Sequence, residues 1–411
     1  MTTMILVLLI VVFCWTLVAS ALHSAPVTGP MVLTLAGLAL ANHAMWDADA
    51  AAKITHTLAE ITLVIVLFSD ASRINLRRLS TDFRLPRQML LLGLPGSVVL
   101  GTLAGLVLFP DIGFWSAALL AAILAPTDAA LGEAVVSSKA VPVRIRESLS
   151  VESGLNDGLA LPVVLLLACF AGVSNDIDTA SGWVVFGAAQ IGFGVVIGLA
   201  VGYVGARVMH RAIQRHWLGE QWQGIAALAL AGIAWAAAES IHGNGFIAAF
   251  VAGLVFGEKL CRPAKFLFEF SETEGQLLVL ATFALFGATL LPGALEQLSW
   301  PVVVYALLSL TAVRMLSMFI SLRGQHLDLP SALFLGWFGP RGLASILFVL
   351  LVAEEAMIIH TETLTTVVFV TVFFSVVLHG ISAGPLSVYY GKRSAHSESL
   401  AAMQSIENPE K

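Results

Sequence analysis

The apolar residues of this chain come in long blocks that are separated by short polar segments. A block of about 20 apolar residues can cross a bilayer as an α-helix, because a helix makes its backbone hydrogen bonds internally. Scanning the chain with a window of about 19 residues predicts about thirteen spans, so we expect an all-α polytopic membrane protein. The predicted spans cover residues 4–22, 30–46, 54–72, 87–108, 114–136, 150–171, 183–208, 222–241, 244–258, 273–291, 300–322, 331–353 and 363–388.

Two of the predicted spans are interrupted by a proline beside a charged residue. Residues 125–128 in span five read Ala-Pro-Thr-Asp, and residues 339–342 in span twelve read Gly-Pro-Arg-Gly. The two breaks lie seven spans apart, and this odd offset gives the two helices opposite orientations. Matching breaks in oppositely oriented helices indicate inverted repeats, two broken helices that cross, and a binding site near the bilayer midplane.

Composition and charge agree with a membrane protein. The chain is 58% hydrophobic and only 12% charged, whereas soluble domains carry about 25% charged residues. Loop Lys and Arg residues follow odd-numbered spans, with Lys53 as the exception, so we expect an outside N-terminus and a cytoplasmic C-terminus. No basic block suited to nucleic acid occurs, and the three cysteines lack the paired spacing of a disulfide framework or a metal site.

The first apolar stretch has two readings. No Lys or Arg precedes it, whereas a secretory leader normally begins with a basic region. We therefore expect a first transmembrane span, with a cleaved leader as the alternative because small residues surround positions 19–21.

The clearest polar cluster inside a span is residues 152–158, which read Glu-Ser-Gly-Leu-Asn-Asp-Gly. An ionised carboxylate in hydrocarbon is costly, so Asp157 is expected to face a cavity or a partner. Na⁺ needs several oxygen ligands, which Asp157, the Thr127 hydroxyl and unwound backbone at residues 125–128 would supply. One carboxylate that binds either a cation or a proton is sufficient for exchange.

Other buried charges are assigned partners by their position in the spans. Arg341 requires a counter-charge, and we predict an ion pair with Glu152. Glu60 in span three completes the ion site in one interpretation and packs between helices in another. Asp128 either ligates the cation or caps the half-helix that follows it.

Two further groups are expected to have interfacial roles. Arg314 is predicted towards the cytoplasmic end of its span, where its side chain could extend to water. The histidines, His379 among them, are predicted near span ends or in loops, and they form no metal-binding spacing.

Three of these motifs together resemble the signatures of NhaP/NHE-type sodium/proton antiporters, a monovalent cation:proton antiporter family. The resemblance is carried by residues 125–128, 152–158 and 338–342, with weaker similarity at 68–71 and 243–257. It therefore extends over nearly the whole membrane region in the right order. It implies a homodimer in which a core ion-translocation domain moves like an elevator against a dimerisation domain, with no cofactor.

The resemblance also implies roles for single residues. Asp157 would be the shared cation and proton site, with Thr127 and Ser153 as further Na⁺ ligands. Asn156 would orient the broken helices, and the Asn-Asp pair implies electroneutral one-for-one exchange. Residues 154–155 are Gly-Leu where the family often has Leu-Phe, which affects fine geometry more than ion binding.

The same resemblance implies an arrangement of the chain. Glu152 and Arg341 match the family's buried ion pair. We expect a transmembrane antiporter domain over residues 1–390 and a short, disordered cytoplasmic tail over 391–411. A tail this short favours a prokaryotic inner membrane, with cations leaving the cell and protons entering.

Alternatives remain open at this point. Oxygen ligands do not fix ionic radius, so Li⁺ or K⁺ could replace Na⁺, and a K⁺/H⁺ antiporter is the main rival. A cation channel would conduct without proton coupling. An intramembrane aspartyl protease would need Tyr-Asp and Gly-x-Gly-Asp contexts, and neither occurs, so we expect no enzymatic activity.

Overall fold

The computed structural model of the protein describes residues 2–22, 25–41, 48–74, 84–172, 180–259, 265–325, 327–355 and 360–407. These residues form helices and connecting turns, with no β-strand in the described ranges. A helix lies at each of the thirteen predicted spans when an interrupted helix is counted once. The predicted all-α class is therefore confirmed.

The helices are numbered here by span, with a and b for the halves of an interrupted helix. The first seven are α1 Thr2–Val18, α2 Gly29–Ala41, α3 Ala48–Arg73, α4 Arg84–Leu108, α5a Phe114–Ile123 with α5b Ala129–Val136, α6 Val143–Ala171 and α7 Ala180–Gln214. The next three are α8 Glu220–Glu239, α9 Gly245–Lys259 and α10, which joins Lys265–Leu285, Phe286–Leu290 and Leu291–Glu296. The last three are α11 Trp300–Ser321, α12a Leu329–Trp337 with α12b Leu343–Glu355, and α13 Thr361–Glu407.

Helix length and composition agree with a membrane-spanning bundle. Among the described residues, seven helices are both long and apolar enough to cross a membrane unaided. The halves of α5 and α12 are each too short, and each pair together provides one crossing.

The two interrupted helices cross at their breaks, as predicted. Asp128 N donates to Pro340 O at 2.8 Å, and Ser345 Oγ donates to Ile123 O at 2.8 Å. An earlier residue of α5 thus meets a later residue of α12, which shows that the two helices run antiparallel. Some of the unwound backbone groups at each break are thus satisfied by residues of the other interrupted helix.

Inverted repeats are visible in two other contacts between helices that lie seven spans apart. Thr62 of α3 meets Thr282 of α10 at 3.2 Å between hydroxyl oxygens, and Ser97 of α4 meets Ser317 of α11 at 2.7 Å. Both pairs are separated by 220 residues. A residue that touches its own counterpart in the second repeat is what a two-fold axis between inverted repeats produces.

The last helix extends beyond residue 390. It continues without interruption from Thr361 to Glu407, and the division of the chain at residue 390 stays a prediction. Ser, Ala and Glu are the commonest residues after Gly391, and no Gly or Pro occurs there to end the helix. Residues 408–411 lie outside the described residues.

Candidate functional site

Asp157 lies on α6 beside the crossing point, and its side chain is buried. Gly158 next to it packs directly under the Phe250 ring of α9, where any larger side chain would overlap the ring. Asp157 Oδ1 has no hydrogen-bond partner among the described residues. A buried carboxylate oxygen without a protein donor is a natural acceptor for a cation or a proton.

Asp157 reaches the surroundings through a cavity of about 1060 Å³. The cavity extends from the crossing point to the end of the bundle where α3 ends and α6 begins. Its polar lining includes Asp70, Asp128, Ser153 and Asp157 near the crossing point, and Arg73, Glu133, Ser137, Arg146 and Glu147 towards its mouth. The cavity is therefore a route, lined in part by polar and charged residues, that leads from one side of the bundle to Asp157.

The hydroxyl groups predicted as cation ligands lie together between the α5 break and α6. Asn156 Nδ2 donates to Thr127 Oγ1 at 2.6 Å, and Thr127 Oγ1 lies 3.1 Å from Ser153 Oγ. All three side chains are buried. Asn156 thus ties the α5 break to the helix that carries Asp157, and Ser153 lies one helical turn before Asp157 on that helix.

Asp128 caps two half-helices at once. Its Oδ1 accepts from Ala130 N at 2.8 Å and from Leu131 N at 3.1 Å, at the start of α5b. Its Oδ2 accepts from Leu343 N at 2.6 Å, at the start of α12b. A Cβ at Gly342 would overlap Asp128 Oδ2, so only glycine permits this approach. The geometry supports the capping interpretation, and cation binding by Asp128 stays a prediction.

Arg341 has the complementary position at the other two half-helix ends. Its side chain is fully buried, and Nη1 donates to Pro126 O at 3.2 Å and to Gly339 O at 3.0 Å, just beyond α5a and α12a. Helix N-termini favour negative charge and C-termini favour positive charge. Asp128 and Arg341 therefore stabilise the crossing together, each matched to two helix ends.

The predicted ion pair between Glu152 and Arg341 is wrong. Glu152 binds Arg314 of α11 instead, through Nη1–Oε1 at 2.5 Å and Nη2–Oε2 at 2.8 Å. This two-pronged contact occupies both carboxylate oxygens, while Arg341 is directed at backbone carbonyls. The expectation that Arg314 extends to water is also wrong, because its side chain is only 1% exposed. Arg314 and Arg341 both lie inside predicted spans, and helical periodicity does not indicate which of them contacts Glu152.

One carboxylate of α3 lines the cavity that leads to Asp157, and it belongs to Asp70 and not to Glu60. Glu60 is half-buried and is not among the residues that line the cavity. Asp70, about 15 Å further along a helix that rises 1.5 Å per residue, lines it instead. A Cβ placed on Gly154 would lie 3.6 Å from Asp70 Cβ, so α3 and α6 are in contact there. The similarity at residues 68–71 was the available signal for Asp70. Ion binding by Glu60 stays a prediction.

His379 was placed near a span end from sequence, but it lies deep in the bundle and is 1% exposed. It contacts the α12 break through Trp337 O. Hydropathy could not indicate that His379 is buried, because the hydropathy value of a histidine is the same whether it lies at a span end or inside the bundle.

Comparison with known proteins agrees with this architecture. The family of transmembrane sodium/hydrogen exchangers matches residues 5–389. The K⁺/H⁺ antiporter NhaP of Alkalimonas amylolytica is 27% identical over 346 residues, which cover 82% of this chain and 57% of that protein. A Na⁺/H⁺ antiporter of Schizosaccharomyces pombe is 24% identical over 343 residues, which cover 73% of this chain and 71% of that protein.

A solved structure shares the fold. The sodium proton antiporter MjNhaP1 of Methanocaldococcus jannaschii superimposes with a TM-score of 0.74 at 21% identity, over 92% of this chain and 99% of that one. The chain spans 57% of the length of the Alkalimonas relative. Since the family match covers all thirteen helices from α1 to the membrane part of α13, the chain belongs to the sodium/hydrogen exchanger family.

Proposed function

We propose that this protein exchanges a monovalent cation for H⁺ across a membrane, as a secondary antiporter without enzymatic activity. One observation carries the proposal: a buried carboxylate, Asp157, has an unpartnered oxygen at the inner end of a polar cavity beside two crossing broken helices. Membership of the exchanger family supports the same class of activity.

The exchange rests on competition at Asp157. A cation would bind the Asp157 carboxylate together with the hydroxyl oxygens of Thr127 and Ser153, while a proton would occupy the carboxylate itself. Because the cation and the proton both require the Asp157 carboxylate, binding of either one releases the other. The site would therefore carry either ligand across the membrane and would not return empty.

The neighbouring charges support a one-for-one stoichiometry. Glu152 and Arg314 neutralise each other, and Asp128 and Arg341 are each engaged by half-helix ends. Asp70 also lines the cavity, and we assign to Asp157 the charge that one H⁺ or one monovalent cation neutralises. We propose electroneutral exchange on this basis.

Access to the site alternates between the two sides. The cavity opens where α3 ends at Arg73 and α6 begins at Val143, which the distribution of basic residues assigns to the cytoplasm. On this assignment we propose that the cavity corresponds to an inward-open state, with the N-terminus outside and the C-terminus in the cytoplasm. We propose that a core containing the broken helices moves against a dimerisation domain in a homodimer of a prokaryotic inner membrane, with residues 1–390 as the transmembrane unit.

The cation is proposed to be Na⁺, with Li⁺ as a second substrate. K⁺ is the rival, because the Alkalimonas relative is named a K⁺/H⁺ antiporter and the Schizosaccharomyces relative a Na⁺/H⁺ antiporter. Carboxylate and hydroxyl oxygens accept all three ions, so the transport assay must separate them.

The experiment measures luminal pH in everted vesicles with an acidified lumen after addition of NaCl, LiCl or KCl. We expect alkalinisation by the wild-type protein and none by Asp157→Asn. Asp111→Asn, the same change in an exposed loop between α4 and α5a, is the matched control and is expected to retain exchange. A cation current in proteoliposomes without coupled proton movement would instead establish a channel.

A further inference from the structure

Ser375 and His379 lie one turn apart on α13, and both are buried against the α12 break. Ser375 Oγ accepts from Arg341 N at 2.7 Å, on the downstream side of the break. His379 Nε2 lies 2.9 Å from Trp337 O, on the upstream side. The two side chains therefore hold both ends of the unwound segment from one rigid helix.

His379 lies between two backbone carbonyls. Its Nε2 lies 2.9 Å from Trp337 O, and its Nδ1 lies 3.0 Å from Ser375 O and 3.3 Å from Ser375 Oγ. A neutral imidazole carries one N–H, so it donates to only one of the two carbonyls. In the tautomer with the hydrogen on Nε2, His379 donates to Trp337 O. Together with the bond from Arg341 N to Ser375 Oγ, these contacts link the two sides of the break.

The upstream end of these contacts is supported by ring packing. The Trp337 indole stacks on the His379 imidazole with centroids 5.2 Å apart, and its Nε1 donates to Ser382 Oγ at 2.9 Å. Trp337 is the last residue of α12a. The end of this half-helix is thereby fixed to α13 through both its backbone and its side chain.

The downstream end leads to the ion site. The Arg341 amide is held by Ser375, and its guanidinium donates to Pro126 O, the carbonyl directly before Thr127. Leu343 N, two residues further, is capped by Asp128. A displacement of the α12 break would therefore reach Thr127 through Arg341 and through Asp128.

We propose that Ser375 and His379 are positioning residues that set the length of the α12 break and, through Arg341 and Asp128, the place of the Thr127 ligand. The inference rests on the proposed antiport function. Neither side chain touches the cation, so its effect appears in cation affinity. A residue that only stabilises the bundle would alter the unfolding temperature and the amount of active protein, and would leave affinity unchanged.

The test compares cation half-saturation, maximal exchange rate and unfolding temperature for purified protein in proteoliposomes. Ser375→Ala removes the hydroxyl, and Thr371→Ala is the matched control, since Thr371 Oγ1 donates to Val367 O of its own helix one turn earlier. His379→Leu removes the donor to Trp337, while His379→Gln retains a donor of similar reach. Loss of one hydrogen bond corresponds to an increase in half-saturation of about three- to tenfold.

We expect that increase for Ser375→Ala and His379→Leu, less than about twofold for Thr371→Ala, and recovery in His379→Gln. Equal half-saturation in Ser375→Ala and Thr371→Ala would overturn the inference, as would variants that lower only the maximal rate together with the unfolding temperature. If the wild type exchanged none of Na⁺, Li⁺ and K⁺, the proposed function would fail separately. Amide hydrogen exchange of residues 339–343 would then test the positioning role on its own. Faster exchange in Ser375→Ala than in the wild type supports this role, and unchanged exchange refutes it.

Discussion

The buried pair between Glu152 and Arg314 allows a quantitative test of the site. The two side chains are 3% and 1% exposed, and two parallel hydrogen bonds join them. Unit charges about 4 Å apart attract by about 4 kcal/mol at an effective dielectric constant near 20. Removing one partner leaves the other charge buried, which costs about 3–5 kcal/mol of unfolding free energy.

The perturbation is a double-mutant cycle of Glu152→Gln and Arg314→Met. Each single variant is expected to lose about 3–5 kcal/mol, because each leaves one charge without its partner. The double variant leaves no unpaired charge, so its loss should be smaller than the sum by at least about 2 kcal/mol. The assay is unfolding by SDS titration in mixed micelles, followed by intrinsic fluorescence.

A second cycle, Glu152→Gln with Arg341→Met, serves as the control. No hydrogen bond between these two side chains occurs in the described residues, so its coupling energy should stay below about 1 kcal/mol. A larger coupling in the Arg341 cycle than in the Arg314 cycle would refute the pairing described here. It would also restore the partner that sequence reasoning favoured.

Three further outcomes follow from the geometry of the crossing and of the cavity. Gly342→Ala forces Asp128 away from the start of α12b and should reduce the exchange rate in the vesicle assay by at least about tenfold. Gly132→Ala is the control, because a Cβ there meets nothing within 4 Å, and it should leave the exchange rate unchanged. The proposed competition between protons and cations at Asp157 implies that the half-saturating cation concentration rises as pH falls, with an unchanged maximal rate; a pH-independent half-saturation would contradict shared binding. Thr127→Val keeps the side-chain shape but removes the hydroxyl, and it should weaken cation binding about three- to tenfold. A thermal-shift titration with the cation measures this change, and an unchanged titration would exclude Thr127 as a ligand.

The spans and the breaks could be predicted from sequence because they depend on local properties. Hydrophobic length reports a transmembrane helix directly. A proline such as Pro126 or Pro340 removes a backbone donor and marks an interruption. The position of each break within its span, and the odd offset between the spans, then indicated the crossing without any knowledge of packing.

The partners of the buried charges could not be predicted in the same way. Whether Glu152 meets Arg314 or Arg341 depends on which helix packs beside α6, and this is a tertiary property. His379 was misplaced for a related reason, since its burial depends on the α12 break packing against α13. Glu60 and Asp70 lie on one helix, and only the cavity shows which of them faces Asp157.

The corrected pairing strengthens the case for exchange at a single group. Had Glu152 been paired with Arg341, the carbonyls at Pro126 and Gly339 would lack their buried cation, and Arg314 would be an unpaired charge. In the observed arrangement Arg314 satisfies Glu152, while Arg341 satisfies helix ends that would otherwise be exposed to a low-dielectric interior. Glu152, Arg314, Asp128 and Arg341 therefore each have a partner other than Asp157. Its carboxylate can therefore change ligand without disturbing the framework that holds it, which is what a site alternating between a proton and a cation requires.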